Sequence, residues 1–405
     1  MTTAATQHHH IVIVGGGAAG ISVAARLFHA LKQPDVAIIE PASEHYYQPL
    51  WTLVGAGVFK KEATRRQEKK LIPRGATWIQ ERVEELCPDD NTVVTSSGQT
   101  IGYDYLVLAP GIQLDWHKIK GLEGHLGTDG LCSNYAYDQC ERTWEAIRTF
   151  RGGNALFTQP STPIKCGGAP QKIMYLADDQ FRKAGVRDKT EIMFVSGMAT
   201  IFSAPPYIPS LNAVIERKGI TTLFKHDLVE VRPASKEAAF ANVNDGSELV
   251  LHYDMMHITP PMSAPDFVKR SPLANTDGAL KGWVKADKHT LQHPDYPNVF
   301  ALGDAAGLPT SKTGAAIRKQ APVLVHNLLA LMRNELAARF DAYTGYTSCP
   351  LVTGYGKLVL AEFDYDLKRK ETFPIDQRKE RRSMYLLKAY GLPLLYWQGM
   401  LKGRM

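Results

Sequence analysis

The segment Gly15-Gly16-Gly17-Ala18-Ala19-Gly20 follows directly on the apolar run His10-Ile11-Val12-Ile13-Val14 and opens a helical pattern from Ile21 to Leu31. A G-x-G-x-x-G turn between a buried strand and a helix leaves few folds open. Gly15 permits the tight turn, Gly17 lets a pyrophosphate approach the backbone, and Gly20 allows close packing of the helix. A second apolar run, Val36-Ala37-Ile38-Ile39, ends in Glu40, 20 residues after the last motif glycine. A carboxylate there can accept hydrogen bonds from an adenosine ribose. The chain therefore starts as a dinucleotide-binding unit, with Gly15, Gly17, Ala18, Gly20 and Glu40 as its candidate contacts.

Two later strands bear on the same domain. Tyr105-Leu106-Val107-Leu108 ends in the small-residue turn Ala109-Pro110-Gly111, and Asn298-Val299-Phe300-Ala301-Leu302 ends in Gly303-Asp304. Asp304 either contacts the cofactor or caps the turn that follows it. The stretch between these strands is long enough to be a separate domain inserted into the first. Within it, the strand Glu191 to Val195 runs into Ser196-Gly197-Met198-Ala199-Thr200, without the glycine triplet. A nicotinamide dinucleotide is therefore not expected there in the usual way. Leu308 to Gly314 leads into a helical pattern through Leu336, whose first N–H groups could stabilise an anionic cofactor ring. Lys312 either adds to that field or faces solvent. These readings divide the chain into residues 1–112, an insertion at 113–290, a return at 291–340 and a last unit at 341–405. The predicted class is α/β, with two Rossmann-like domains and a C-terminal helical segment.

Charge singles out the last unit. The formal charge of +6 is matched by the ten basic and four acidic residues from Asp366 to Met405, so the rest is neutral on balance. A basic tail suits nucleic acid or an anionic membrane surface. Tyr385, Leu386, Leu394, Leu395 and Trp397 favour the membrane, and nucleic acid is not an expected partner. Gly391 and Pro393 predict two short apolar helices lying in one leaflet, the alternative being a helical pair packed on the body or in a dimer interface. No apolar run reaches the length of a membrane span, and no leader segment is evident at the start. His8-His9-His10 is read as native lead-in.

Five cysteines without close spacing fit neither a disulfide scaffold nor a metal site, and no metal is expected. Cys166 falls just before a helix start at Gly168-Ala169-Pro170, with Lys172 nearby. A helix start and a lysine both favour the thiolate. The alternative is a buried inert thiol, and this segment alone does not choose. Cys349 lies in what reads as the turn-rich loop Gly345 to Pro350. Cys87 is expected to be structural, and Cys132 and Cys140 bystanders, with Cys132 the better candidate for an exception.

Four segments together resemble the sulfide:quinone oxidoreductases, in the branch containing the animal mitochondrial enzyme and its bacterial relatives. They are His45-Tyr46-Tyr47-Gln48-Pro49-Leu50-Trp51-Thr52-Leu53-Val54-Gly55-Ala56-Gly57, Thr162 to Lys172 around Cys166, Gly345 to Tyr355 around Cys349, and Ala361-Glu362-Phe363-Asp364-Tyr365. The resemblance implies a disulfide-reductase type of flavoprotein with non-covalent FAD, a cysteine pair on one flavin face and quinone on the other. It also implies monotopic attachment through the C-terminal helices. Under it Cys349 takes the sulfide sulfur as a persulfide and Cys166 is the thiolate that adds to the flavin. Lys172 and Lys388 lie near the flavin, and Gln48, Ala109, Gly111, Gly303, Asp304 and Lys312 join the cofactor contacts. Phe363, Tyr385, Leu386, Leu394, Leu395 and Trp397 belong to the quinone or membrane region. The implied partners are hydrogen sulfide, a membrane quinone and a small nucleophilic sulfur acceptor such as glutathione, sulfite, cyanide or sulfide itself. A homo-oligomer is compatible, and the expected location is the cytoplasmic face of a bacterial inner membrane. Other readings are a type II NADH:quinone oxidoreductase and a non-catalytic flavoprotein docked on a membrane.

Overall fold

The computed structural model describes residues 7–335 and 337–405. Its first sheet takes β1 (Gln7–Val14), β2 (Val36–Ile39), β3 (Thr77–Ile79), β4 (Val83–Cys87), β5 (Thr92–Thr95) and β6 (Thr100–Leu108), in the order β3-β2-β1-β6-β5-β4. A seventh strand, Val299–Ala301, lies parallel on β6. β1 sits between β2 and β6, with Ile11 opposite both Val36 and Tyr105. A central parallel strand is covered on both faces, and so Ile11, Val12 and Ile13 have no exposed surface. β1 begins before His10 because Asp35 and Asp104 hold the histidines, His9 Nδ1 at 2.6 Å and His10 Nδ1 at 2.5 Å respectively.

The second sheet contains β7 (Leu131–Cys132), β8 (Gly153–Gln159), β9 (Thr190–Ser196), β10 (Thr221–Phe224) and β11 (Met255–His257). All are parallel, in the order β7-β11-β8-β9-β10. Helix α1 (Ala18–Ala30) follows β1, and α2 (Ala169–Lys183) connects β8 to β9. α3 (Gly314–Met332) runs back along the first sheet. It ends at Met332, where Asn334 turns left-handed at φ 57°, a common way to end a helix; the predicted limit, Leu336, lies outside the described residues.

Two expectations for the last unit fail. Cys349 is not in a loop but inside β12 (Thr347–Gly354), which pairs antiparallel with β13 (Lys357–Phe363). The ribbon has free edges, so Pro350 costs it little, and opposite that proline Leu360 N–H donates to Gln377 O at 3.1 Å instead. The tail is not split at Gly391 and Pro393. Residues 382–402 form one helical run, with wide turns at Leu387–Gly391 and Leu395–Gly399 on either side of the proline. Such wide turns let a helix pass a residue that has no N–H to give.

Candidate active site

β1, β6 and the strand Val299–Ala301 end at one edge, and their following turns meet there. Ala109 N–H donates to Val14 O at 2.8 Å, and Leu302 N–H to Leu108 O at 3.2 Å. Gly15 adopts φ 101°, and a Cβ on it would stand 2.3 Å from Ala109 O. Only glycine passes that point. Gly111, also left-handed, completes this turn, and Gly303 sits against Ala19 in the first turn of α1. No side chain caps α1, and a Cβ on Gly17 would meet nothing within 4 Å. Glu40 Oε2 accepts from Gly16 N–H and its Oε1 from Ala42 N–H, both at 2.8 Å. An uncapped helix start facing open space, with a carboxylate fixed at its shoulder, fits a diphosphate and its ribose. Gly15, Gly17, Ala18, Gly20, Glu40, Ala109, Gly111, Gly303 and Asp304 are thus gathered around one edge. Gln48 is different, being exposed at the start of a short turn, Gln48–Leu50.

The cysteine loop joins this edge through backbone. Cys166 N–H donates to Lys312 O and Cys166 O accepts from Ala169 N–H, both at 2.8 Å. Between these bonds Cys166 takes φ 55°, a left-handed conformation that costs a non-glycine residue about 1–2 kcal/mol. Three residues on, α2 begins. At its N-cap Gly168 packs directly on the hairpin: a Cβ there would lie 2.2 Å from Leu351 Cδ2 on β12. This close approach of helix start to hairpin brings Cys349 to Cys166. Both thiols are free in this structure.

Their environments differ. Cys166 accepts a hydrogen bond from the Cys349 thiol and a second from Lys172 Nζ at 3.0 Å. These bonds, with Lys172 and Lys388 as nearby cations, outweigh burial and hold its pKa well below that of an ordinary thiol. Donation to Cys166 and burial push Cys349 well above it. Lys388, on the tail, donates to Pro49 O at 2.8 Å; burial and the neighbouring Lys172 lower it to about 7. Lys312 is not solvent-facing. Its Nζ lies 3.7 Å from the Trp283 ring centre and donates to Asp304 O at 2.6 Å, and burial lowers it to about 8. Asp304 is raised by burial, against the pull of Lys312 and Lys165.

Lys165 and Tyr135 were not among the expected site residues. Lys165 faces the rings of Trp51 and Tyr135 at 5.5 and 5.9 Å and is lowered by burial to about 8. Adjacency to Cys166 was the available signal. Nothing in its local sequence marks Tyr135, whose phenol is raised by burial and by the two cysteines it faces. Cys132 and Cys140 are buried, and desolvation pushes each thiol up to about 12.

The predicted surface group divides. Phe363 is buried edge-on against Phe202, and Tyr385 and Trp397 are buried too, with Trp397 packed on His45. Leu386, Leu394 and Leu395 are exposed, and Tyr390 joins them as the most exposed aromatic of that face at 61%. Among the described residues no helix is long and apolar enough to cross a membrane.

In the second domain, the turn after β9 is closed by side chains. Asp227 accepts from Ser161 N–H at 2.7 Å and from Ser161 Oγ at 2.5 Å, and a Cβ on Gly197 would collide with Asp227 Oδ1.

Residues 9–147 match the pyridine nucleotide-disulphide oxidoreductase family. The chain is 49% identical to the mouse protein named sulfide:quinone oxidoreductase, mitochondrial, over 95% of its own length and 85% of the relative's. It is 48% identical to the protein of the same name from Dictyostelium discoideum, over 96% and 84%. Among solved structures it resembles the sulfide:quinone oxidoreductase of Aquifex aeolicus, with a TM-score of 0.82 at 20% identity, covering 98% of this chain and 92% of that one.

Proposed function

The chain belongs to the sulfide:quinone oxidoreductases, FAD-dependent enzymes that oxidise sulfide and reduce quinone, and we propose that in it Cys349 takes the sulfide sulfur while Cys166 is the leaving thiolate. The observation that carries this is the opposed poise of the two thiols, with Lys172 Nζ 3.0 Å from Cys166. When the pair is bridged, hydrosulfide attacks the Cys349 sulfur, a new S–S bond forms there, and the bond to Cys166 breaks. The better the leaving thiolate is stabilised, the faster this exchange runs. Lys172 supplies that stabilisation. A nucleophilic acceptor then removes the outer sulfur of the persulfide and leaves a Cys349 thiolate. Bound FAD supplies the acceptor for the two electrons released as the bridge re-forms, and passes them to quinone.

The exposed stripe of Leu386, Tyr390, Leu394 and Leu395, beside Arg382 and Arg404, supports docking of the tail on a membrane surface. The mouse and Dictyostelium discoideum relatives are named mitochondrial, whereas the location proposed for this chain is the cytoplasmic face of a bacterial inner membrane. For domain limits we retain 1–112, 113–290, 291–340 and 341–405.

Anaerobic mixing of the purified yellow protein with sulfide tests the chemistry. A long-wavelength charge-transfer band is expected with sulfide and no bleaching with NADH; rapid bleaching by NADH alone favours the hydride-accepting alternative, against which the missing glycine triplet after Val195 speaks. For the tail, truncation would remove buried Tyr396 and Trp397, so point changes are the better probe. Leu386→Ser with Leu394→Ser is expected to weaken sedimentation with anionic vesicles by about tenfold or more, each exposed leucine contributing roughly 1 kcal/mol on insertion. Unchanged sedimentation removes this stripe from the membrane contact.

A further inference from the structure

Away from the sulfur chemistry, the segment from Lys60 to Lys70 gathers six cations, Lys60, Lys61, Arg65, Arg66, Lys69 and Lys70, against Glu62 and Glu68. The fold sorts them into two groups. Arg65–Gln67 pairs antiparallel with Glu44–Tyr46, which sets Arg65 opposite Tyr46 and, on the other face of the ribbon, Arg66 opposite His45. Charge on the first face is used internally: Lys61 meets Asp138 and Glu141 at 3.7 and 3.6 Å, and Arg65 meets Glu44 at 3.7 Å. Glu68 turns inward and is buried beside His45. Lys60, Arg66, Lys69 and Lys70 are exposed and, among the described residues, belong to no ion pair.

These four border the tail. The Phe59 ring stands edge-on to Tyr390 at 5.7 Å, and the Arg66 guanidinium lies over the Trp397 ring, 5.0 Å from its centre. Contacts at Tyr390 and Trp397 are about 10 Å apart by helical rise, so the segment runs alongside the tail and does not merely cross it. It flanks the exposed stripe of Leu386, Tyr390, Leu394 and Leu395, which Arg382 and Arg404, also exposed, bracket in sequence. An apolar stripe beside a row of cations without counter-charges fits an interface in which anionic phosphates lie directly above acyl chains. A nucleic acid would use the cations and gain nothing from the leucines.

We propose that Lys60, Arg66, Lys69 and Lys70 form a headgroup-binding row that makes docking selective for anionic lipid, with the tail stripe as its apolar half. This rests on the tail being the membrane contact. The two halves are separable, because apolar insertion is indifferent to headgroup charge, whereas the row acts only on charged lipid and is screened by salt.

The FAD-bound, full-length protein is sedimented with vesicles of phosphatidylcholine alone and of phosphatidylcholine mixed with phosphatidylglycerol. At low salt the wild-type protein should prefer the mixed vesicles by roughly thirtyfold or more. Lys60→Gln combined with Lys69→Gln and Lys70→Gln should cut that preference by about tenfold or more and leave binding to phosphatidylcholine alone within about twofold. These three side chains make no hydrogen bond or ion pair among the described residues, so the variant keeps the fold. Leu386→Ser with Leu394→Ser should instead weaken binding to both vesicles and leave the preference within about twofold. An unchanged preference in the lysine variant, or no preference in the wild-type protein, overturns the row. If the leucine changes alter neither affinity, the tail reading fails, and the preference still decides for or against the row. Tighter binding to a duplex oligonucleotide than to mixed vesicles, lost in the lysine variant, would assign the row to nucleic acid and overturn the proposal.

Discussion

The loop that carries Cys166 and the ribbon that carries Cys349 present the same side chain to the same spot by opposite means. The loop spends backbone: a left-handed cysteine, two hydrogen bonds to hold it, and a helix start immediately after. The ribbon is regular, and Cys349 is buried in it opposite Ala361. Charge follows the same division. Lys172 and Lys388 pull the loop cysteine down, while at the ribbon cysteine the hydrogen bond it donates and desolvation outweigh the pull of Lys172. Two thiols of one intrinsic acidity are thus held at opposite ends of the thiol range by where each backbone places them, which is what the proposed division into leaving group and sulfur carrier requires.

The comparison breaks most severely if the two positions are equivalent. Cys166→Ser and Cys349→Ser are each expected to cut sulfide-dependent quinone reduction by about a thousandfold or more, since covalent chemistry has no substitute route. The roles are told apart in the bridged wild-type protein, where sulfide followed by alkylation should leave the extra sulfur on the Cys349 peptide by mass spectrometry. An extra sulfur on Cys166 reverses the assignment.

Lys172→Met comes next. Removing a charge-assisted hydrogen bond worth about 1.5–3 kcal/mol should lower the acid-dissociation constant of Cys166 roughly ten- to a hundredfold. Thiolate absorbance titrated against pH should move upward. An unmoved titration would mean that Lys172 does not hold the thiolate.

Lys388→Met should have a smaller, pH-dependent effect. Lys388 is charged below its lowered pKa of about 7 and neutral above it, so its pull on Cys166 is present in acid and fades as pH rises through 7. Alkylation of Cys166 should therefore be slowed a few-fold at pH 6 and barely at pH 9, and a pH-independent effect would point to lost packing. The smallest effect expected is for Asp179→Asn on α2, whose Oδ2 accepts from Tyr355 N–H of the hairpin turn at 2.8 Å. The variant should lose about 1 kcal/mol of stability in denaturant titration. Equal stability would show that the hairpin is positioned by the cysteine end alone.

What was legible in the sequence was local. The glycine turn, the acid at Glu40 and the helix start after Cys166 each declare themselves within a few residues, because turn geometry and capping are short-range. The Cys349 strand was misread as a loop because glycine, serine and proline signal turns, whereas here pairing to β13 overrides them. Its partnership with Cys166 came from resemblance, since no spacing rule joins residues so far apart. The tail's continuity through Pro393 depends on wide helical turns that no local propensity announces. Burial of Phe363, Tyr385 and Trp397, against exposure of Leu386 and Tyr390, is decided by what the helix packs on.

The distance along the chain between the two cysteines has a thermodynamic side. Bridging residues 183 apart removes conformational freedom from the unfolded chain, by loop-closure entropy about 5 kcal/mol for a ring of this size. Each turnover would then open and close the largest staple in the molecule. The resting, bridged protein should resist heat and proteases, and the protein carrying a persulfide should be the vulnerable one, so that an enzyme starved of its sulfur acceptor spends its time in its least durable form.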